Sequence, residues 1–146
     1  ERLADRYTLH LVDLPGHGFA REDATELVPE TLASELVARV PDAAWLGWSL
    51  GGQFALRAAL DHPHAVRGLI MVASSPRFVV GEDWKHGVGT QLFRDFGEAL
   101  AKDFSGTLEG FLALEALGSA HAQEELRSLR AQSSRGSGGI TRRCAH

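Results

Sequence analysis

Five consecutive residues, Gly47-Trp48-Ser49-Leu50-Gly51, have the types and spacing that nucleophilic chemistry needs. Where a G-x-S-x-G pattern joins a strand to a helix, the turn is so sharp that the serine hydroxyl stands exposed above the sheet. The glycines remove side chains that would collide there. The pattern means little without its flanks, and both fit. Ala43 to Leu46 is a short apolar run after the breaker Pro41-Asp42, and Gly52 to Leu60 is rich in Ala and Leu, as a helix should be. Gly52, Ala55, Ala58 and Ala59 suit a helix packed closely on a sheet, a feature that any buried helix shares.

Other reactive side chains are placed less tellingly. His17 lies in the turn Asp13-Leu14-Pro15-Gly16-His17-Gly18 and reads as a solvent-facing loop residue, with the mouth of a site as its alternative place. His62 and His64 follow a helix of about a dozen residues, roughly 18 Å long, which carries them away from Ser49. Cys144 and His146 stand in a tail without periodicity, and two candidate ligands do not make a metal site. The chain holds no P-loop, no G-x-G-x-x-G and no acidic metal cluster, so neither metal nor cofactor is expected.

The elements that must position Ser49 come in order. Tyr7 to Val12, Y-T-L-H-L-V, is rich in β-formers and predicts a strand. Arg21 to Val28 is a polar loop or the start of a helix. Pro29 to Val40 predicts an amphipathic helix with Leu32, Leu36 and Val40 on one face. The Ala43–Leu46 strand and the elbow helix follow, and the helix ends near Asp61-His62-Pro63. Val66 to Ala73 predicts a strand, its continuous apolar part from Leu69 expected to be covered on both faces. This alternation predicts an α/β fold with a parallel sheet. Beyond Arg77 the strands give way to helical stretches at 91–101, 108–117 and 121–130, read as a lid. The predicted organisation is a core over 1–76, a helical cap over 77–131 and a disordered or aberrant tail over 132–146, where S-S-R-G-S-G-G opens a run almost without apolar residues.

A chain of 146 residues, 44% of them hydrophobic, suits one globular domain. The net charge of −4 speaks against a general nucleic-acid binder. A single cysteine leaves no internal disulfide framework, and no apolar run approaches the roughly 20 residues that span a bilayer. No secretory signal is present, and a cytoplasmic location is the expectation. The chain opens on Glu1, partway through an element, so a fragment or processed chain is expected.

The strings L-H-L-V-D-L-P-G-H-G, W-L-G-W-S-L-G-G, V-A-S-S-P-R-F and F-L-A-L-E-A-L-G together resemble the pimeloyl-[acyl-carrier protein] methyl ester esterases of biotin synthesis. These are α/β-hydrolases with a helical cap, and the resemblance runs from about Tyr7 to Arg130. It implies Ser49 as nucleophile and the Leu50 backbone N–H as one oxyanion donor. It implies that Phe111, Leu112, Ala113, Leu114 and Glu115 line the acyl-chain site, with Glu115 standing where a glutamine is expected. Arg127 and Arg130 match basic cap residues that receive the acidic carrier protein. The implied substrates are acyl-carrier-protein methyl esters and small esters.

The departures are equally informative. The family order is Ser, then Asp, then His on later loops, and no Asp and His here can be assigned those roles. The family strand bearing the H-G oxyanion loop, which lies between the Tyr7–Val12 and Ala43–Leu46 strands, has no counterpart. The two flanking strands would have to pair directly or leave backbone groups exposed. The tail after Ala131 resembles nothing in the family, as a shifted reading frame would produce. The chain alone is therefore expected to be nearly inactive. The alternatives are another capped serine α/β-hydrolase, such as a broad carboxylesterase, or a non-catalytic fragment that binds an acyl chain or carrier protein. Serine rather than aspartate at the nucleophile position disfavours a dehalogenase.

Overall fold

The structure, a computed structural model, describes residues 3–115. The first long element is α1, Pro29–Arg39. Proline occupies its first turn, where the missing N–H costs no helical bond. Glu30 and Arg39 lie at the ends where the helix dipole favours their charges. Its four-residue apolar spacing buries Leu32, Ala33 and Leu36. Val40 turns extended, and after Pro41-Asp42 the chain enters strand β1, Ala43–Trp48. Helix α2, Leu50–Asp61, follows after one intervening residue, Ser49. Its last turn closes where the His62 N–H donates to the Ala58 carbonyl at 2.8 Å, immediately before Pro63. Strand β2, Val66–Val72, returns parallel to β1, with Trp45 beside Leu69 and Trp48 beside Val72.

The core lies between α1, α2 and one face of this two-stranded sheet. Leu32, Leu36 and Phe54 form one cluster, with Leu14, Trp45 and Leu50 packed on it. Ala33, Ala58 and Val66 form another, again touching Trp45. Ala33 and Ala58 are fully buried (0% exposed), so the small residues let the two helices close up. Polar links tie the helix surfaces together. Arg57 forms a bidentate pair with Asp61 at 2.6 Å and reaches Glu30 of α1 at 3.5 Å. Ser34 donates its hydroxyl to the Glu30 carbonyl and stands 3.0 Å from His62 Nε2, so His62 is the donor in that contact.

Two expectations need correction. Tyr7 to Val12 belongs to no strand. Its side chains are exposed, Tyr7 by 62% and Leu11 by 64%. A strand is a paired object, and β-forming residues without a neighbour to complete their ladder stay unpaired. Nor is β2 covered on both faces. Leu46 and Trp48 of β1 with Ile70 and Val72 of β2 share the face away from the helices and are exposed. Both helices that touch this sheet lie on the other side, so the apolar run of β2 has cover for only every second residue.

By internal contacts the chain divides into two units, Glu1–Gly87 and Val88–His146. The first also contains a short 3-10 turn, Gly18–Ala20, and a loop over 21–28 in which the Asp23 carboxylate accepts both the N–H and the hydroxyl of Thr25. Those bonds hold the Asp23 carboxyl below the ordinary carboxylate range. The second unit carries α3, Thr90–Lys102, and α4, Phe104–Glu115, joined at Asp103. The Asp103 carboxylate accepts the Gly106 N–H at 3.0 Å, which caps the start of α4. Phe96 and Phe111 meet across the pair with ring centroids 5.5 Å apart. The helix expected at 121–130 and the tail from 132 lie outside the described residues.

Phe54 fills the centre of the larger cluster, whereas Leu46 points away from the helices. Phe54→Ala is expected to lower unfolding stability by about 3–5 kcal/mol. Leu46→Thr should change it by no more than about 0.5 kcal/mol. Urea titration of the two variants checks this.

Candidate functional site

Ser49 alone links the end of β1 to the start of α2, and its backbone carries the strain of that turn. It has φ 51° and ψ −122°, in the left-handed half of backbone space, where a non-glycine residue costs of order 1–3 kcal/mol. Such a conformation persists only where the surroundings over-determine it, and here they do. The Ser49 N–H donates to the Val72 carbonyl at 2.9 Å, which carries the β1–β2 pairing into the elbow. Its own carbonyl accepts the Gly52 N–H at 2.9 Å.

The glycines explain how the helix starts so soon. A side chain on Gly47 would run into the Gly51 carbonyl and the Gly52 Cα, so β1 and the first turn of α2 approach backbone to backbone. A side chain on Gly52 would occupy the place of the Ser74 side chain. Gly51, the second glycine of the motif, faces open space and is demanded by nothing around it. Of the two motif glycines, packing among the described residues requires only the first.

The Ser49 side chain makes no capping bond to α2, although serine is a favoured N-cap. A normal N-cap has extended backbone geometry, which aims its oxygen at the helix N–H groups. The left-handed geometry of Ser49 removes the hydroxyl from that role. Leu50 opens α2, so its N–H belongs to the turn whose donors have no acceptor within the helix. A donor there, at the positive end of a helix dipole, suits a developing negative charge.

Among the described residues no histidine hydrogen-bonds to Ser49. His17 is exposed, with Nδ1 2.8 Å from the Pro15 carbonyl. His62 bonds to Ser34 at the far end of α2, His64 is exposed beyond it, and His86 meets the edge of Trp84. Phe111 to Glu115 form the last stretch of α4, where Phe111 and Leu112 are half-buried and Ala113 and Leu114 exposed. Arg127 and Arg130 lie outside the described residues. Among the described residues no group of three His, Cys, Asp or Glu side chains could hold a metal ion, and no helix is long and apolar enough to cross a membrane.

Three residues at the elbow were not marked by the sequence. Gln53 Nε2 donates to the Ser75 carbonyl at 3.2 Å, Ser74 fills the space beside Gly52, and Ala73 has φ 47°. Ser74-Ser75-Pro76 reads only as the end of a strand, and no local pattern announces a contact more than twenty residues back.

The sequence matches known proteins. The model of the alpha/beta hydrolase family matches residues 1–142. A pimeloyl-[acyl-carrier protein] methyl ester esterase of Stenotrophomonas maltophilia (strain K279a) is 60% identical over 130 residues, covering 89% of this chain and 50% of the relative. Its namesake in Xanthomonas oryzae pv. oryzae (strain MAFF 311018) is also 60% identical, over 89% of this chain and 51% of its own length. The counterpart in Xanthomonas campestris pv. campestris (strain B100) is 56% identical over the same shares. The chain thus spans about half the length of the curated relatives it matches.

The unequal demands on the two motif glycines are testable. Gly47→Ala forces backbone apart and should cost about 1–3 kcal/mol. Gly51→Ala meets open space in a helix and should be neutral or stabilising by up to about 1 kcal/mol. Thermal unfolding of both variants checks the contrast.

Proposed function

The chain belongs to the alpha/beta hydrolase family, and from that premise we propose that it carries the nucleophile of a serine carboxylic-ester hydrolase. The observation that supports this most directly is the backbone of Ser49. A serine held at φ 51° between a strand and a helix, with its hydroxyl released from helix capping, is built to present an oxygen rather than to stabilise a turn.

In the proposed reaction Ser49 Oγ attacks the ester carbonyl while a histidine, oriented by an aspartate, takes the serine proton. The tetrahedral oxyanion accepts hydrogen bonds from two backbone N–H groups, one of them that of Leu50, each worth about 3 kcal/mol. The histidine returns its proton to the leaving alkoxide, an alcohol departs, and water hydrolyses the acyl-enzyme. The names of the relatives point to pimeloyl-[acyl-carrier protein] methyl ester as substrate and methanol as the alcohol, and the sequence resemblance adds biotin synthesis as the purpose. On this reading Phe111, Leu112, Ala113, Leu114 and Glu115 receive the acyl chain, Arg127 and Arg130 meet the carrier protein, and the protein works in the cytoplasm.

Among the described residues no histidine hydrogen-bonds to Ser49. On this reading the base comes from polypeptide outside the described residues. The same fact favours, as a second reading, a fragment that binds acyl chain or carrier protein without turning it over.

A chimera separates the two. Residues 7–130 replace the matching segment of the Stenotrophomonas maltophilia esterase, and hydrolysis of a pimeloyl methyl ester is followed. The chimera should turn over, Ser49→Ala in it should lose about 10⁴-fold or more in kcat, and the 146-residue chain alone should stay near background. Turnover in the chimera that survives Ser49→Ala would remove Ser49 from the mechanism.

A further inference from the structure

Ser49 is not the only strained residue at this end of the sheet. Among the described residues two non-glycines have positive φ, Ser49 at 51° and Ala73 at 47°, and they sit at neighbouring strand ends. The Ser49 N–H bonds to the carbonyl of Val72, immediately before Ala73. The left-handed step at Ala73 turns the chain back beneath the first turn of α2. There Ser74 packs against Gly52, and the Ser75 carbonyl accepts Gln53 Nε2 at 3.2 Å. Ser75 is itself fixed by its hydroxyl, which donates to the Arg77 carbonyl at 3.0 Å.

We propose that the Ala73–Ser75 turn is a brace for the Ser49 backbone, with Gln53 and Ser74 as positioning residues. The strain at Ser49 would be relieved if the first turn of α2 swung away from β2 and let φ fall to an ordinary negative value. Two backbone bonds oppose this at Ser49 itself. The Gln53–Ser75 bond opposes it one turn further along, where the lever is longer. Ser74 contributes volume rather than a hydrogen bond, since its hydroxyl is buried without a partner. Placing a left-handed alanine at the end of β2 makes sense as the means of bringing that turn under the elbow. That the brace serves catalysis rests on reading Ser49 as the nucleophile. That it exists does not.

Amide hydrogen exchange, read by NMR on the 146-residue chain, tests the brace without any turnover. Gln53→Glu keeps the length and replaces the donor with an oxygen. It should accelerate exchange of the Ser49 and Gly52 amides about tenfold, the effect of losing one hydrogen bond, while amides in the second half of α2 keep their rates. Gln53→Lys, which restores an N–H donor, should recover most of the protection. Ser74→Ala should leave both amides protected, and Ser74→Gly should expose them. Unchanged rates at Ser49 and Gly52 in Gln53→Glu would overturn the proposal. So would acceleration spread evenly over α2 and the sheet, or Ser74→Ala acting like Ser74→Gly. Because no hydrolysis is measured, a failed brace and a failed esterase assignment give different results.

Discussion

Helix α2 begins one residue after β1 ends, and that is possible only because backbone meets backbone where Gly47 faces Gly51 and Gly52. This close approach sets the geometry of the rest. A Cβ at Gly47 would push the first turn of α2 off the strand, lengthen the connection and let Ser49 relax. With the glycine in place, the chain must reverse within a single residue, and the left-handed conformation of Ser49 is the consequence. The same approach lowers α2 onto the sheet, so that Phe54 and Ala58 reach Trp45 and Val66 and give α1 a surface to pack on. Stability and site geometry therefore share one contact.

The burial pattern is lopsided for a parallel sheet. Trp45 touches both core clusters, whereas Leu46 and Trp48, one residue to either side of Gly47, are exposed by 61% and 64%. Parallel strands are ordinarily enclosed on both faces, and their sequences carry apolar residues for both. The composition of β1 and β2 matches that rule, while the cover matches half of it. Only the helix-side residues of each strand contribute to the core, and the remaining apolar area stays in water among the described residues.

What could be read from the sequence depended on whether a feature was local. Helices α1 and α2 close their own hydrogen bonds, so the spacing of Leu32 and Leu36 and the Pro41 and Pro63 breakers located them to within a residue or two. The elbow was legible for the same reason, since five adjacent residues specify it. Tyr7 to Val12 failed because a strand exists only in its neighbour, and nothing in Y-T-L-H-L-V states whether one is present. The contacts of Gln53 and Ser74 failed likewise, being made across the sheet by residues of ordinary type. Gly51 is the subtler case. The motif groups it with Gly47, yet only Gly47 stands where a side chain would collide.

Presenting a serine and activating it are separate physical tasks, and the structure distributes them unequally. Presentation is a matter of backbone, supplied entirely between Ala43 and Ser75 by two strands, one helix turn and three hydrogen bonds. Activation needs a base within about 3 Å of the hydroxyl, and side chains can supply that only from chain that returns to the same end of the sheet. No histidine among the described residues hydrogen-bonds to Ser49. His62 is held at the opposite end of α2 by Ser34, where it links the helices instead. The conformation of Ser49 is fixed by packing that also forms the core, so the elbow and the fold are held by the same contacts. The interactions that shape the elbow are thus the ones that fold the segment around it.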